Sequence, residues 1–219
     1  MSYETEEQQL ERLKDWWKEN GTSLIVGAVL GLSGFAGWKY WNEQKVQYQA
    51  DASDLYNQII AIQSSGDLKL FNEKVEDSRN QFPDSTYAIL ASFVQAKKAV
   101  ETNELDKASE SLNWIISNHA DHDLAVVAKM RLARIYLQQD KANEALSLLD
   151  VTEDSGYFAL ANLTKGDAFM ILNKKRDALL AYQEAAKDYE LTMSNPALQL
   201  KIDELNGMIE KEVSEVIEQ

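Results

Sequence analysis

The sequence predicts an all-α protein: a single N-terminal transmembrane helix followed by a solenoid of helical repeats. Three observations carry this. Residues 20–38 read NGTSLIVGAVLGLSGFAGW, with no ionisable side chain, in a chain whose net charge is -14. The remainder is rich in Ala, Leu, Glu, Gln, Lys and Asp, and the whole chain holds only two prolines, which is a composition of helix formers with few breakers. Further along, three runs repeat one spacing of small and apolar residues.

Residues 1–19 mix acids (Glu4, Glu6, Glu7, Glu11, Asp15, Glu19) with bases (Arg12, Lys14, Lys18), while Leu10, Leu13, Trp16 and Trp17 recur at helical spacing. They predict a short helix leading into the membrane. At about 1.5 Å per residue, the apolar stretch makes a helix of roughly 28 Å, close to the ~30 Å of a hydrocarbon core. Trp16 and Trp17 precede it and Trp38, Tyr40 and Trp41 follow it, as interfacial aromatic belts do, with Lys18 and Lys39 placed to reach outward. A cleaved signal peptide is the competing reading, with 34–36 (GFA) as the cleavage site. It is disfavoured because an acidic segment stands where a short basic region belongs.

Three bases (Arg12, Lys14, Lys18) precede the span and two (Lys39, Lys45) follow it closely. This bias puts the N-terminus in the cytoplasm and the large domain across the membrane. Gly27 and Gly31 form a GxxxG pair that Gly34 continues, so a second transmembrane helix can approach this face closely. The seven strongly apolar residues of the span contribute roughly -2 to -4 kcal/mol of insertion free energy. The glycines and Ser33 erode that, and a partner helix would help. The chain thus divides into an N-terminal cytoplasmic segment at 1–19, a transmembrane helix at 20–41 and a repeat domain with a C-terminal capping helix at 42–219.

After the span the helix runs on through Trp41, Val46, Tyr48, Ala52, Leu55, Ile59 and Ile62 to a turn at Ser64, Ser65 and Gly66. Asp67 caps the next helix, whose Leu68, Phe71, Val75 and Phe82 stop at Pro83. Residues 50–83 read as a degenerate first hairpin. Beyond it, the runs QAKKAVETNELDKASESL, LARIYLQQDKANEALSLL and KGDAFMILNKKRDALLAY align on Ala108, Ala145 and Ala178. A small residue stands twelve positions earlier (Ala96, Ala133, Gly166) and an apolar one four later (Leu112, Leu149, Tyr182); in two units an aromatic stands nine before (Tyr136, Phe169). The intervals of 37 and 33 residues bracket the 34 of a tetratricopeptide array. The small pair is expected to face across each hairpin where the backbones cross, and the apolar residues to receive the next hairpin. An irregular helical bundle is the alternative. After Asn195 and Pro196, a helix carrying Leu198, Leu200, Ile202, Leu205, Met208 and Ile209 caps the array, with its last turns, 210–219, free to fray or to meet a partner.

The charge balance argues against nucleic acid, which is bound through clustered Lys and Arg. The chain has no cysteine, hence no thiol nucleophile and no disulfide. His119, Asp121, His122 and Asp123 have ligand chemistry but no spaced second pair, so they read as a solvated turn with Asp121 or Asp123 as a helix cap. No nucleophile, acid pair or phosphate loop can be picked out. The residues predict a non-enzymatic binding module with no cofactor, and leave self-association open.

ENG at 19–21, the glycine-spaced span, GWKYWN at 37–42, NELDKA at 103–108 and RLAR at 131–134 together resemble the YfgM family of Gram-negative bacteria, ancillary to the SecYEG translocon. The resemblance covers nearly the whole chain, although the acidic tail beyond Leu205 departs from its pattern. It implies a single-pass inner-membrane protein with a periplasmic tetratricopeptide-like domain. It also implies partnership with SecYEG, with the periplasmic chaperone PpiD and with emerging client polypeptides. A second hypothesis keeps the repeat array on the cytoplasmic side as a membrane-tethered scaffold for assembly or regulation.

Overall fold

The computed structural model describes residues 6–217, and among these it places ten helices and no strand. The first five positions of the N-terminal segment, Glu4 included, and the last two of the acidic tail lie outside the described residues. The chain divides into two units, Met1–Leu55 and Tyr56–Gln219.

The described residues of the first unit all belong to helix α1 (Glu6–Ser65), as far as Leu55. No break separates the charged N-terminal segment, the apolar stretch and the polar continuation. Leu24, Ile25, Val26, Val29, Leu30, Leu32 and Phe35 are all exposed, which in water would leave a large apolar area unpaired with any core. Trp16, Trp17, Trp38, Tyr40 and Trp41 are exposed as well. The Lys45 ammonium lies 4.0 Å over the Trp41 ring, and Lys18 and Lys39 each sit beside a carboxylate one turn away, Asp15 and Glu43. The helix ends at Ser65, where Gly66 takes φ +83°, a left-handed conformation that glycine adopts without steric cost.

The second unit stacks short helices in chain order. These are α2 (Leu68–Gln81), α3 (Thr86–Glu101), α4 (Leu105–Asn118), α5 (Leu124–Gln138), α6 (Ala142–Ser147), α7 (Phe158–Ile171), α8 (Lys175–Ala185), α9 (Tyr189–Ser194) and α10 (Ala197–Ile217). Three of them begin on side-chain caps. Asp67 accepts from the Leu70 amide at 3.0 Å, Ser85 from that of Tyr87 at 3.2 Å and Asp188 from that of Leu191 at 2.7 Å. Each satisfies a backbone donor that the first turn leaves orphaned.

Three hairpins, α3–α4, α5–α6 and α7–α8, form the array. Their turns share one conformation: Asn103, Asp140 and Asn173 have φ of 59°, 59° and 56°. In each, the next amide donates back five residues: Glu104 to Ala99 (2.7 Å), Lys141 to Tyr136 (2.8 Å) and Lys174 to Phe169 (2.9 Å). Carbonyls orphaned at the first helix's end are thereby satisfied, and Asn or Asp is the residue after glycine that best tolerates this geometry. All three left-handed residues stand five positions before the aligned alanines, so turn chemistry and side-chain spacing share a register. In the second and third hairpins the lysine of the turn lies over the register aromatic, Lys141 over Tyr136 at 5.9 Å and Lys174 over Phe169 at 6.0 Å.

The core follows the repeat. Ala96, Ala108, Leu112, Ile115, Ala128 and Leu132 belong to one buried cluster, and Ala133, Ala145, Leu149 and Ala161 to a second. Leu163, Ala178, Tyr182, Ala185, Leu198, Ile202 and Leu205 make a third, in which α10 closes the array against α8. Each large apolar side chain so buried contributes about 1.5–3 kcal/mol.

Four expectations are corrected. In the third hairpin Gly166 meets the ring of Tyr182 rather than Ala178: a β-carbon there would overlap the ring, because the aromatic one turn past the alanine leans back across the crossing point. Neither Asp121 nor Asp123 caps α5; Asp123 has helical angles and makes no cap bond, so its carboxylate cannot turn back, and the His122 Nδ1 accepts from the Leu124 amide at 3.1 Å instead. Leu200 is exposed, since two residues from Leu198 and Ile202 it falls on the opposite side of α10. The stretch after Glu210 continues α10 as far as Ile217, with Glu212 paired to Lys175 of α8.

Candidate functional site

A groove runs along the inner helices α3, α5 and α7. Its first chamber, about 390 Å³, lies between α3 and α5 and is lined by Phe93, Lys97, Val100, Arg131, Arg134 and Ile135 among others. A second, about 770 Å³, lies between α5, α7 and α10, with Leu163, Asp167, Met170, Tyr182, Lys201 and Met208 among its walls. Arg134 and Gln138 belong to both walls, so the two chambers are parts of one trough. Apolar walls with a few placed polar groups are the usual make-up of a binding site.

The repeat positions explain why the groove exists. Ala96 and Leu112 sit at the floor of the first chamber, and Tyr182 at that of the second. Small residues on the inner helices let each hairpin close, and the side chains one face round are left to line the trough. On α5 the buried Leu132, Ala133 and Ile135 alternate with exposed Arg131, Arg134 and Gln138, so one turn carries the core on one side and two guanidinium groups on the other. The Arg131 guanidinium lies 4.7 Å over the Phe93 ring.

In the second chamber, Asp167 binds two elements together. Its carboxylate accepts from the Tyr182 hydroxyl at 2.7 Å and pairs with Lys201 of α10. Burial, then the hydrogen bond to Asp167 and its charge, push the Tyr182 phenol well above its ordinary range, so it remains a neutral donor. Lys201 also lies 5.1 Å over the Tyr182 ring.

A buried polar network braces the first two hairpin helices behind the groove. Arg79 donates to Ser92 Oγ at 2.9 Å, to Gln95 Oε1 at 2.8 Å and to Glu76 Oε1 at 2.7 Å. Ser111 donates to the same Gln95 oxygen at 2.8 Å, while Gln95 Nε2 donates to Asn72 at 3.0 Å. Burial lowers the Arg79 pKa against the pull of Glu76, although a guanidinium stays charged at any physiological pH.

The residues singled out from sequence fall in two separate places. Gly27, Gly31 and Gly34 have open space where a β-carbon would stand, and they lie on α1 with the interfacial aromatics. Of the repeat-defining residues, Ala96, Leu112 and Tyr182 form the floor of the groove, Ala108, Ala133, Ala145, Leu149, Gly166 and Ala178 are buried beneath it, and Tyr136 and Phe169 are half-buried. His119 packs against Trp114 in a tilted contact, 5.0 Å between ring centroids, and no group of three or more potential metal ligands comes together among the described residues. The groove-lining Lys97, Val100, Arg131, Arg134, Asp167 and Lys201 were not singled out one by one. Arg131 and Arg134 entered only within the RLAR run, and two arginines three residues apart on either side of Leu132 and the repeat alanine Ala133 are the signal that would have found them.

Among the described residues, α1 is the one helix long and apolar enough to cross a membrane, near the N-terminus. A family model for a tetratricopeptide repeat-like domain matches residues 14–207. An Escherichia coli protein named ancillary SecYEG translocon subunit is 31% identical over 207 residues, covering 93% of this chain and 98% of the relative. Its namesake in Haemophilus influenzae is 31% identical over 82% of this chain and 88% of the relative. That of Neisseria gonorrhoeae is 29% identical over 91% and 97%. With a matching domain and relatives aligned over almost their full length, the chain belongs to the tetratricopeptide repeat-like family that includes the ancillary SecYEG translocon subunits.

Proposed function

We propose that this protein is a non-catalytic, membrane-anchored binding module that works at the SecYEG translocon and assists secretory and envelope proteins as they emerge. One observation carries the reading. The helix that holds the exposed apolar stretch, α1, is unbroken from Glu6 to Ser65, so the anchor is continuous in the chain with an array whose inner face forms a groove. Relatives named translocon subunits support the place of action, and the groove supports protein binding over chemistry. The family resemblance supplies PpiD as the companion chaperone.

In this reading the anchor crosses the bacterial inner membrane once, at about residues 20–41, with residues 1–19 in the cytoplasm and the domain from 42 onward in the periplasm. The basic residues Arg12, Lys14 and Lys18 before the span support that orientation. Gly27, Gly31 and Gly34 form the face on which a translocon helix docks, and the aromatic residues fix the depth.

Photo-crosslinkers placed at Gly27 and Gly31 in intact membranes test the partner: adducts to translocon subunits are expected, and adducts to lipid alone would refute docking. Added protease on spheroplasts tests the side. Digestion of the repeat domain is expected, whereas a protected domain would establish the cytoplasmic scaffold instead.

A further inference from the structure

The first chamber of the groove has a charge at odds with the rest of the molecule. Three cations and one carboxylate line it: Lys97, Arg131, Arg134 and Glu101, in a chain of net charge -14. Glu101 is 3.9 Å from Lys97. Among the described residues, neither arginine has a carboxylate within ion-pair distance, yet both are held on one side of a rigid helix. Arg131 is fixed further by its stacking on Phe93, an arrangement that orients a guanidinium without using its hydrogen-bond donors. Between these cations lies an apolar trough formed by Phe93, Val100 and Ile135, with Val100 exposed.

We propose that this chamber docks an internal segment of a partner protein in which an apolar side chain neighbours a glutamate or aspartate. The carboxylate is clamped by Arg131 and Arg134, and the apolar side chain fills the trough beside Val100. This names the partner chemistry of the groove already assigned to protein binding, and rests on that assignment. Charge complementarity selects the carboxylate, since guanidinium forks match its geometry bidentately. Continuity of the groove selects an internal segment: Arg134 stands in the wall of both chambers, so a chain can run past it, whereas a C-terminal carboxylate held there would leave one chamber unused. The overall negative charge opposes an acidic partner only at long range. At physiological ionic strength the screening length is about 8 Å, and within the chamber the arginines dominate.

The test uses the full-length protein in mild detergent and fluorescein-labelled synthetic peptides followed by anisotropy. One peptide alternates Leu or Phe with Glu and is blocked at both ends. The second replaces every Glu by Gln, and the third is the Gln peptide with a free C-terminal carboxylate. The acidic peptide is expected to bind at least ~10-fold tighter than the Gln peptide, the scale of one charge-assisted clamp. The double variant Arg131→Gln, Arg134→Gln should erase that preference while keeping its helical content and unfolding midpoint. Equal affinity for the first two peptides, or an unchanged preference in the double variant, overturns the proposal, as does tight binding of the free-carboxylate peptide alone. Val100→Trp, which fills the trough, separates the two readings. If it weakens both blocked peptides while the preference survives Arg131→Gln, Arg134→Gln, the groove stands and the clamp falls; if it weakens neither, the groove itself is not the binding site. Self-association of the protein that the double variant abolishes would instead assign the chamber to the acidic tail of a second copy, and would also overturn the proposal.

Discussion

Gly166 on α7 lies so close beneath the ring of Tyr182 on α8 that a β-carbon on the glycine would overlap it. The corresponding pairs in the earlier hairpins are Ala96 with Leu112 and Ala133 with Leu149, all of them buried. Size is therefore exchanged within each pair: the inner helix gives up its methyl group where the outer helix carries the larger side chain. The ring cannot move aside freely, because its hydroxyl is held by Asp167. Gly166→Ala is expected to cost about 1–3 kcal/mol through overpacking, which, set against a gain of ~1 kcal/mol in helix propensity, leaves a net destabilisation of up to about 2 kcal/mol. Adding Tyr182→Leu should make the alanine tolerable. A double-mutant cycle from urea unfolding measures the coupling, and additive effects would show that the two residues do not compete for the same space.

The spacing of small residues and the apolar length of α1 made the all-helical fold legible, since both are periodic or compositional signals that tertiary context cannot easily override. The groove was less legible. A spacing pattern identifies what is buried, and the lining residues are by definition those that the pattern skips. Arg131 and Arg134 acquire meaning only when α3 is placed opposite them. The His122 cap was hidden for a related reason: Asp123 has the better capping chemistry, but the helical angles it adopts pass that role to its neighbour.

The three left-handed turn residues give a test that is independent of packing. Asn103→Gly, Asp140→Gly and Asn173→Gly should each be neutral or stabilising by a few tenths of a kcal/mol, because glycine adopts positive φ without strain. The corresponding valine substitutions should each cost about 1–2 kcal/mol or more. Unfolding midpoints of the six variants check this, and a tolerated valine at any of the three sites would mean that its turn is not held in the left-handed conformation.

Arg79 joins α2 to the first full hairpin through Ser92 and Gln95, and stacks 5.1 Å over Trp114. Arg79→Met leaves the buried Ser92 Oγ without the donor it accepts from, and Gln95 Oε1 with Ser111 as its remaining donor, at an expected cost of about 1–3 kcal/mol. Arg79→Lys should recover little of it, because a single ammonium cannot reproduce the planar fork that reaches both. Thermal or urea unfolding of the two variants distinguishes this from a purely electrostatic role through Glu76, in which lysine would restore most of the loss.

His119 supplies the pH dependence. It packs on Trp114, and its Nε2 is buried with no hydrogen-bond partner among the described residues. Burial, and secondarily the nearby His122, lower its pKa from the ordinary 6.5, against the opposing pull of Asp84 and of the Pro83 backbone. A histidine whose folded pKa is depressed binds its proton more readily in the unfolded chain. Its contribution to stability is therefore complete above about pH 6.5 and declines as the pH falls through the interval down to the folded value. The urea midpoint of the native protein should fall between about pH 7.5 and pH 5.5 by more than that of His119→Leu, which has no proton to gain at this position. Parallel declines in the two proteins would place the pH-sensitive group elsewhere, and a steeper decline in the variant would reverse the sign of the argument.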